Sequence, residues 1–151
     1  MDARFPALAG EALDGTPFAA PRDLAGARTV ALVGFALDQR PQVESWGPYL
    51  DALVRSRRDV RARLFAVMGN LPKFARGAIL GTMRVALQAP ELRASTIPVF
   101  ADAAGLGRAL GLADRAQLAL FLVEPDGAIV WRAAGAYTDA LGASLNSALG
   151  V

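Results

Sequence analysis

Apolar and polar positions follow two rhythms along this chain, and between them they lay out an order of elements. The run "TVALVGF" (29–35) is apolar without interruption and rich in β-branched residues, the pattern of a central strand buried on both faces. From Pro41 the period lengthens. Val43, Trp46, Leu50, Leu53 and Val54 recur three and four apart, which predicts a helix that buries one face. Pro41 suits its first turn, where a missing N–H costs nothing, and Pro48 predicts a kink. "ARLFAVM" (62–68) reads as a second buried strand closed by Gly69-Asn70. Residues 71–90, "LPKFARGAILGTMRVALQAP", return to the helical period and stop before Pro90, which gives an inserted helix at about 72–88. "TIPVFAD" (96–102) is a short strand whose Pro98 places it at an edge or ends its pairing early. Asp102 is the expected N-cap of "AAGLGRALG", with Gly111 closing that helix. "LALFLVE" (118–124) turns through Pro125-Asp126-Gly127 into "AIVWRAAG" (128–135), an antiparallel neighbour. Thr138 caps a last helix with Leu141, Leu145 and Leu149 on one face. Near the start, Asp14-Gly15 predicts a β-hairpin.

The order is hairpin, β, α, β, α, short β, α, β-hairpin, α. Strands joined by a helix are expected to be parallel with right-handed crossovers, and the final hairpin adds an antiparallel strand. The result is an α/β domain, a mixed sheet with helices on both faces. At 151 residues, 54% hydrophobic and 20% charged, the chain fits one domain with a real core. It has no run of about 18 apolar residues and no basic-then-apolar leader pattern, so the expected location is cytoplasmic, at most peripheral to a membrane.

The chemistry is bounded mainly by what is missing. There is no Cys and no His. That removes disulfide exchange, thiol peroxidase chemistry, histidine general-base catalysis and thiolate or imidazole metal sites. A carboxylate-only cation site would need clustered acids, but the 14 acids are scattered and no D-x-D-x-D-G loop occurs. No metal and no cofactor are expected.

Certain segments nonetheless resemble a redox family. Thioredoxin-like redoxins carry an apolar strand, a loop, then C-x-x-C-x-x-E-x-P-x-L-x-x-L, and "RPQVESWGPYLDAL" lies in the same register. Arg40 and Val43 fall where the two cysteines would be, Pro48 on the helix proline, and Leu50 and Leu53 on the helix leucines. "FPALAGEALDGTPFAAPRDLAG" is similar to the redoxin opening, and "LALFLVEPDGAIVWRAAG" to its closing hairpin. Leu118 takes the place of the redoxin cis-proline. The resemblance implies a thioredoxin-like mixed sheet without the thiol chemistry. A further resemblance runs along most of the chain. "FPxLxGxxLDG", the "SW" at 45–46, the "MR" at 83–84, "RASTIPVFAD" and "IVWRAAGAYT" look like the mitochondrial ATP synthase assembly factors and their bacterial relatives. That family implies a thioredoxin-like chaperone independent of a C-x-x-C pair.

Two regions are candidate sites. The first is the cysteine-free loop: Asp38, Gln39, Arg40, Val43 and Trp46, with Glu44 beside them. A helix N-terminus favours anions, so Arg40 and the backbone amides could hold a small anion; the plainer reading makes Asp38 and Arg40 solvated and Trp46 core. Asp38 and Glu44 do not read as a catalytic pair, because Arg40 between them favours both ionised. The second is the helix within 71–90, with Arg76, Gly77, Leu80, Gly81, Met83, Arg84 and Leu87. Ala75, Ala78, Ile79, Thr82 and Ala86 are expected to face the sheet, leaving Leu80, Met83 and Leu87 on another side. Gly77 and Gly81, four apart, fit a close backbone contact, either with a partner helix or with this protein's own sheet.

Charge singles out the same stretch. Residues 55–93 hold nine basic side chains against Asp59 and Glu91, a net +7; the remainder, seven basic and twelve acidic, carries −5. An acidic protein partner or an anionic membrane surface fits this dipole, and so does a plain solvated helix end. Nucleic acid is disfavoured, since only Phe65 and Phe74 are interleaved. The reading that follows is a non-catalytic protein-binding module, a chaperone or assembly factor for a membrane complex. A small-molecule or anion-binding protein using the Arg40 loop, a peripheral membrane protein, and a homodimer stay open beside it.

Overall fold

The computed structural model describes residues 3–113 and 115–150. A two-stranded hairpin, β1 (Leu8–Glu11) and β2 (Pro17–Ala20), precedes a five-stranded sheet. The chain continues through β3 (Arg28–Gly34), α1 (Arg40–Ser56), β4 (Val60–Val67), α2 (Lys73–Ala86), α3 (Pro90–Ser95) and β5 (Thr96–Val99). It ends with α4 (Ala103–Ala109), β6 (Ala119–Val123), β7 (Ile129–Ala134) and α5 (Asp139–Ala148). Short 3-10 turns at Arg22–Leu24 and Leu37–Gln39 lead into β3 and α1. The sheet order is β5-β4-β3-β6-β7, so β5, the strand with Pro98, sits at an edge as expected.

The apolar run in β3 is explained by its place in the middle of this sheet. Val30 and Leu32 join Trp46, Leu50, Leu53, Val60, Leu118, Leu120, Leu122, Leu145 and Leu149 in one core, covered by α1 and α5. Ala31 and Val33 point the other way, among Phe5, Phe18, Leu24, Phe65, Val67, Ile97 and Phe121, under the N-terminal hairpin and α4. Alternate residues of one strand thus feed two cores. Capping follows the sequence: Asp102 accepts from Gly105 N (3.1 Å), and Thr138 from Leu141 N (3.1 Å). Gly15 turns the hairpin at φ +94°, a region open to glycine.

Three features depart from expectation: the direction of β6, the extra helix α3 and the exposure of Val54. β3, β4 and β5 are mutually parallel, but β6 runs antiparallel to β3, so the helix-linked step from β5 to β6 is not a parallel crossover. The connection, residues 100–118, keeps the chain at the end of the sheet where β5 finishes, and β6 enters there with Leu118 N donating to Gln42 Oε1. The inserted helix expected at about 72–88 is α2, Lys73–Ala86, and α3 follows as a separate turn of helix begun by Pro90. Pro48 lies inside α1, as the pattern places it. Val54 is exposed, its place on the inward face taken by the half-buried Tyr49.

Candidate functional site

The cysteine-free loop is filled from within. Gln39 is buried, with only 2% of its surface exposed. Its Oε1 accepts from Phe35 N (2.8 Å) at the end of β3, and its Nε2 donates to Arg115 O (2.7 Å). Three residues on, Gln42 Oε1 accepts from Leu118 N (2.7 Å) at the entry to β6. Two amide side chains therefore stitch the mouth of the sheet to the start of α1, and each satisfies main-chain groups that would cost free energy if buried unpaired. Gln42 is a residue that sequence reasoning missed. The available signal was a pair of amides on one side of a helix start, three residues apart.

The other loop residues divide between surface and core. Arg40 donates from Nε to Glu44 Oε1 (2.9 Å), an exposed pair one helical turn apart, so its charge is compensated on its own helix. Asp38 is exposed and Val43 is half-buried against the α1–α5 core. Trp46 is fully buried and donates from Nε1 to Gly135 O (3.0 Å). Its ring meets Tyr137 edge-on at 5.2 Å and Tyr49 at 5.9 Å. Burial, and then the neighbouring Tyr137, push the Tyr49 phenol above its ordinary value, and its hydroxyl bonds Asn146 Oδ1 (2.6 Å). Arg40 and Val43, at the positions that the resemblance to redoxins assigns to the two cysteines, present a paired guanidinium and an isopropyl group, which offer neither a nucleophile nor a general base. Among the described residues no cluster of acids could hold a metal ion, and no helix is long and apolar enough to cross a membrane.

The second candidate region has a different character. α2 buries none of its residues and contributes none to either core. A cavity of about 370 Å³ lies beneath it, lined in part by Ala9, Arg76, Leu80, Arg84, Pro98 and Phe100. The helix is held by guanidinium groups. Arg84 Nε donates to Leu13 O (3.0 Å); Arg76 Nε donates to Leu71 O (2.8 Å) while its plane covers the Phe100 ring at 4.8 Å. Arg93 in α3 donates to Arg84 O and Leu87 O (2.7 Å each), closing the helix C-terminus where unpaired carbonyls collect.

The helix is turned in part from the expectation. Ala75 and Ile79 are half-buried as expected, but so are Leu80, Met83 and Leu87, whereas Ala78, Thr82 and Ala86, expected against the sheet, are exposed. The outward stripe is Phe74, Gly77, Ala78, Gly81, Thr82 and Val85, whose spacing of threes and fours keeps them on one face. Phe74 is 88% and Val85 71% exposed. A Cβ placed on Gly77 or Gly81 meets nothing within 4 Å, so these glycines do not serve contact with the protein's own sheet.

The basic stretch also resolves into two groups. Arg55, Arg57, Arg76, Arg84 and Arg93 bond backbone carbonyls, and Arg57 in addition pairs with Asp59. Arg58, Arg61, Arg63 and Lys73 form no hydrogen bond or ion pair among the described residues.

Solved structures share this architecture end to end. BsSco, a member of the Sco family of cytochrome c oxidase assembly proteins, matches at TM-score 0.65 and 15% identity, over 100% of this chain and 96% of its own. A thioredoxin-family thiol:disulfide interchange protein from Chlorobium tepidum matches at 0.62 and 18%, over 99% and 98%. The exposed lipoprotein thioredoxin of Streptococcus pneumoniae matches at 0.66 and 11%, over 97% and 100%. The fold is thioredoxin-like. No protein-family model and no curated protein matches the chain by sequence.

Proposed function

We propose that this protein is a non-catalytic thioredoxin-like module that binds another protein through the outward face of α2, and that it serves as a chaperone or assembly factor for a membrane protein complex. One observation carries the reading: a 14-residue helix adds nothing to either core yet displays Phe74 and Val85 to solvent on either side of Gly77, Ala78 and Gly81. Small residues let a second helix approach backbone to backbone, and the two larger side chains supply apolar anchors at the ends of the contact. At about 14 residues against the roughly 20 needed to span a bilayer, α2 suits a partner's helix better than a membrane crossing.

Support comes from three directions. The thiol positions hold Arg40 and Val43, and the loop around them is occupied by Gln39 and Gln42, which leaves surfaces to do the work. The order of motifs resembles the ATP synthase assembly factors. BsSco, of similar fold, belongs to a family of oxidase assembly proteins. The Glu44 carboxylate beside Arg40 weighs against the anion-binding alternative there, since an incoming anion would compete with it.

The test places a photo-crosslinking residue at Ala78 in the native cell. A defined membrane-complex subunit is captured by the otherwise wild-type chain and lost with Phe74→Asp plus Val85→Asp, while the melting temperature of the double variant stays within a few degrees of wild type. Capture of the same proteins by both forms refutes the reading. Flotation with anionic vesicles separates out the membrane-surface alternative: salt-sensitive binding that depends on Lys73 would favour it.

A further inference from the structure

β4 opens with two arginines on the same side of the strand. Arg61 and Arg63 alternate with Ala62 and Leu64, and further along the same side lie Phe65 and Val67, in the core beneath the N-terminal hairpin. That end of the sheet face is not closed by apolar side chains. It forms a cleft of about 260 Å³ lined by Arg61, Arg63, Arg22, Asp23, Phe18 and Thr16, among others.

The electrostatics of this cleft are unbalanced. Asp23 is its acid, and both carboxylate oxygens are in use: Oδ2 accepts from Ala19 N (2.7 Å) and Arg22 Nη2 (3.0 Å), and Oδ1 from Arg22 Nε (3.3 Å). Arg22 takes this acid as its ion-pair partner, and Asp23 acts on Arg63 only through space, leaving two guanidinium groups without an ion-pair partner among the described residues. Arg63 Nε is buried with no hydrogen-bond acceptor, while its plane lies over the Phe18 ring at 4.9 Å. A buried, unpaired N–H on a cation is costly, and such a group marks a place where an acceptor belongs. Burial, and then the like charge of Arg61, pull the Arg63 guanidinium below its ordinary value, the direction an incoming anion would reverse.

We propose that this cleft binds a phosphate group, with Arg61 and Arg63 as its forks and Arg63 Nε as the buried donor. A planar carboxylate presents one two-oxygen edge to a bidentate guanidinium fork. A tetrahedral phosphate offers further oxygens to a second fork, which matches two arginines side by side on one strand. The cleft is below the usual size of a nucleotide pocket, which fits one phosphate rather than a whole cofactor.

The experiment titrates the full chain with inorganic phosphate at constant ionic strength, reading melting temperature and calorimetric heat. A saturable, one-to-one response is expected. It weakens about tenfold or more in Arg61→Gln and in Arg63→Gln, and is unchanged in Arg58→Gln, an exposed neighbour. Arg61 is exposed, so its variant folds and decides the matter even if Arg63→Gln does not. A second arm floats the protein with phosphatidylcholine vesicles, with and without phosphatidic acid. Binding to the acid vesicles that free phosphate displaces identifies a lipid headgroup as the source, and phosphate binding without flotation identifies a soluble phosphate. The proposal falls if there is no saturable response, if Arg61→Gln binds like wild type, or if acetate at equal ionic strength does as well as phosphate.

Discussion

Replacing both α2 glycines with alanine should make this protein more stable and less able to bind. Glycine in a helix interior costs about 0.5–1 kcal/mol relative to alanine, because the unfolded chain loses more freedom on ordering. That gain is usually offset where the new methyl group collides with something. Here it does not: a Cβ at Gly77 or at Gly81 meets nothing within 4 Å, and neither glycine has the positive φ that would strain an alanine. The two sites share no internal partner, so their effects should add to about 1–2 kcal/mol. For a domain of this size that is a rise of about 2–8 °C in melting temperature. Urea unfolding of Gly77→Ala/Gly81→Ala beside wild type reads the stability, and photo-crosslinking from Ala78 reads the binding. Two methyl groups on the docking stripe should hold a partner helix away and cut the capture several-fold. A lower melting temperature would show that the glycines already sit in close contact within the protein. A higher one with undiminished capture would show that they do not serve the partner.

Two further outcomes follow from the loop and from the charges. Gln39→Leu leaves the part-buried Phe35 N and Arg115 O without their side-chain partner and should destabilise the protein by about 1–3 kcal/mol, measured by urea unfolding; a change below about 0.5 kcal/mol would mean that those groups find other partners. With no histidine, stability should stay level between about pH 5 and 8. Asp14 is held below its ordinary value mainly by the Thr16 amide, and Asp23 and Asp59 mainly by Arg22 and Arg57. A depressed carboxylate stabilises the fold above its unfolded value, so stability should fall as pH drops below about 4. At the alkaline end the raised Tyr49 works in the opposite sense, and stability should fall as pH rises beyond about 10. A melting-temperature series across pH checks both limbs, and a step between pH 6 and 7 would contradict them.

What was legible in the sequence was whatever is encoded over a few neighbouring residues. The β3 run, the caps at Asp102 and Thr138 and the turn at Gly15 all act within their own segment, and each lies where the pattern places it. The direction of β6 was not legible, since a buried strand reads the same in either sense and the connection through residues 100–118 is long enough for both. The orientation of α2 was hidden for a related reason. Apolar and small residues surround it, so periodicity has no preferred side to report, and the choice is made by Arg84 reaching Leu13, 71 residues away. Gln39 Nε2 and Gln42 Oε1 find their partners 76 residues along the chain, at a distance that no local pattern conveys. Arginines crowded in one stretch looked like a single solvated charge, but five of them answer carbonyl groups.

Both apolar cores close without a single side chain from α2. Its fourteen residues therefore answer to few of the packing constraints that bind the rest of the chain. Drift on its outward face, from Phe74 to Val85, leaves those cores untouched, and selection there acts on what the helix meets outside. A lineage carrying this scaffold can change allegiance by rewriting one short segment, and its descendants would differ most along α2 while the interior stayed alike.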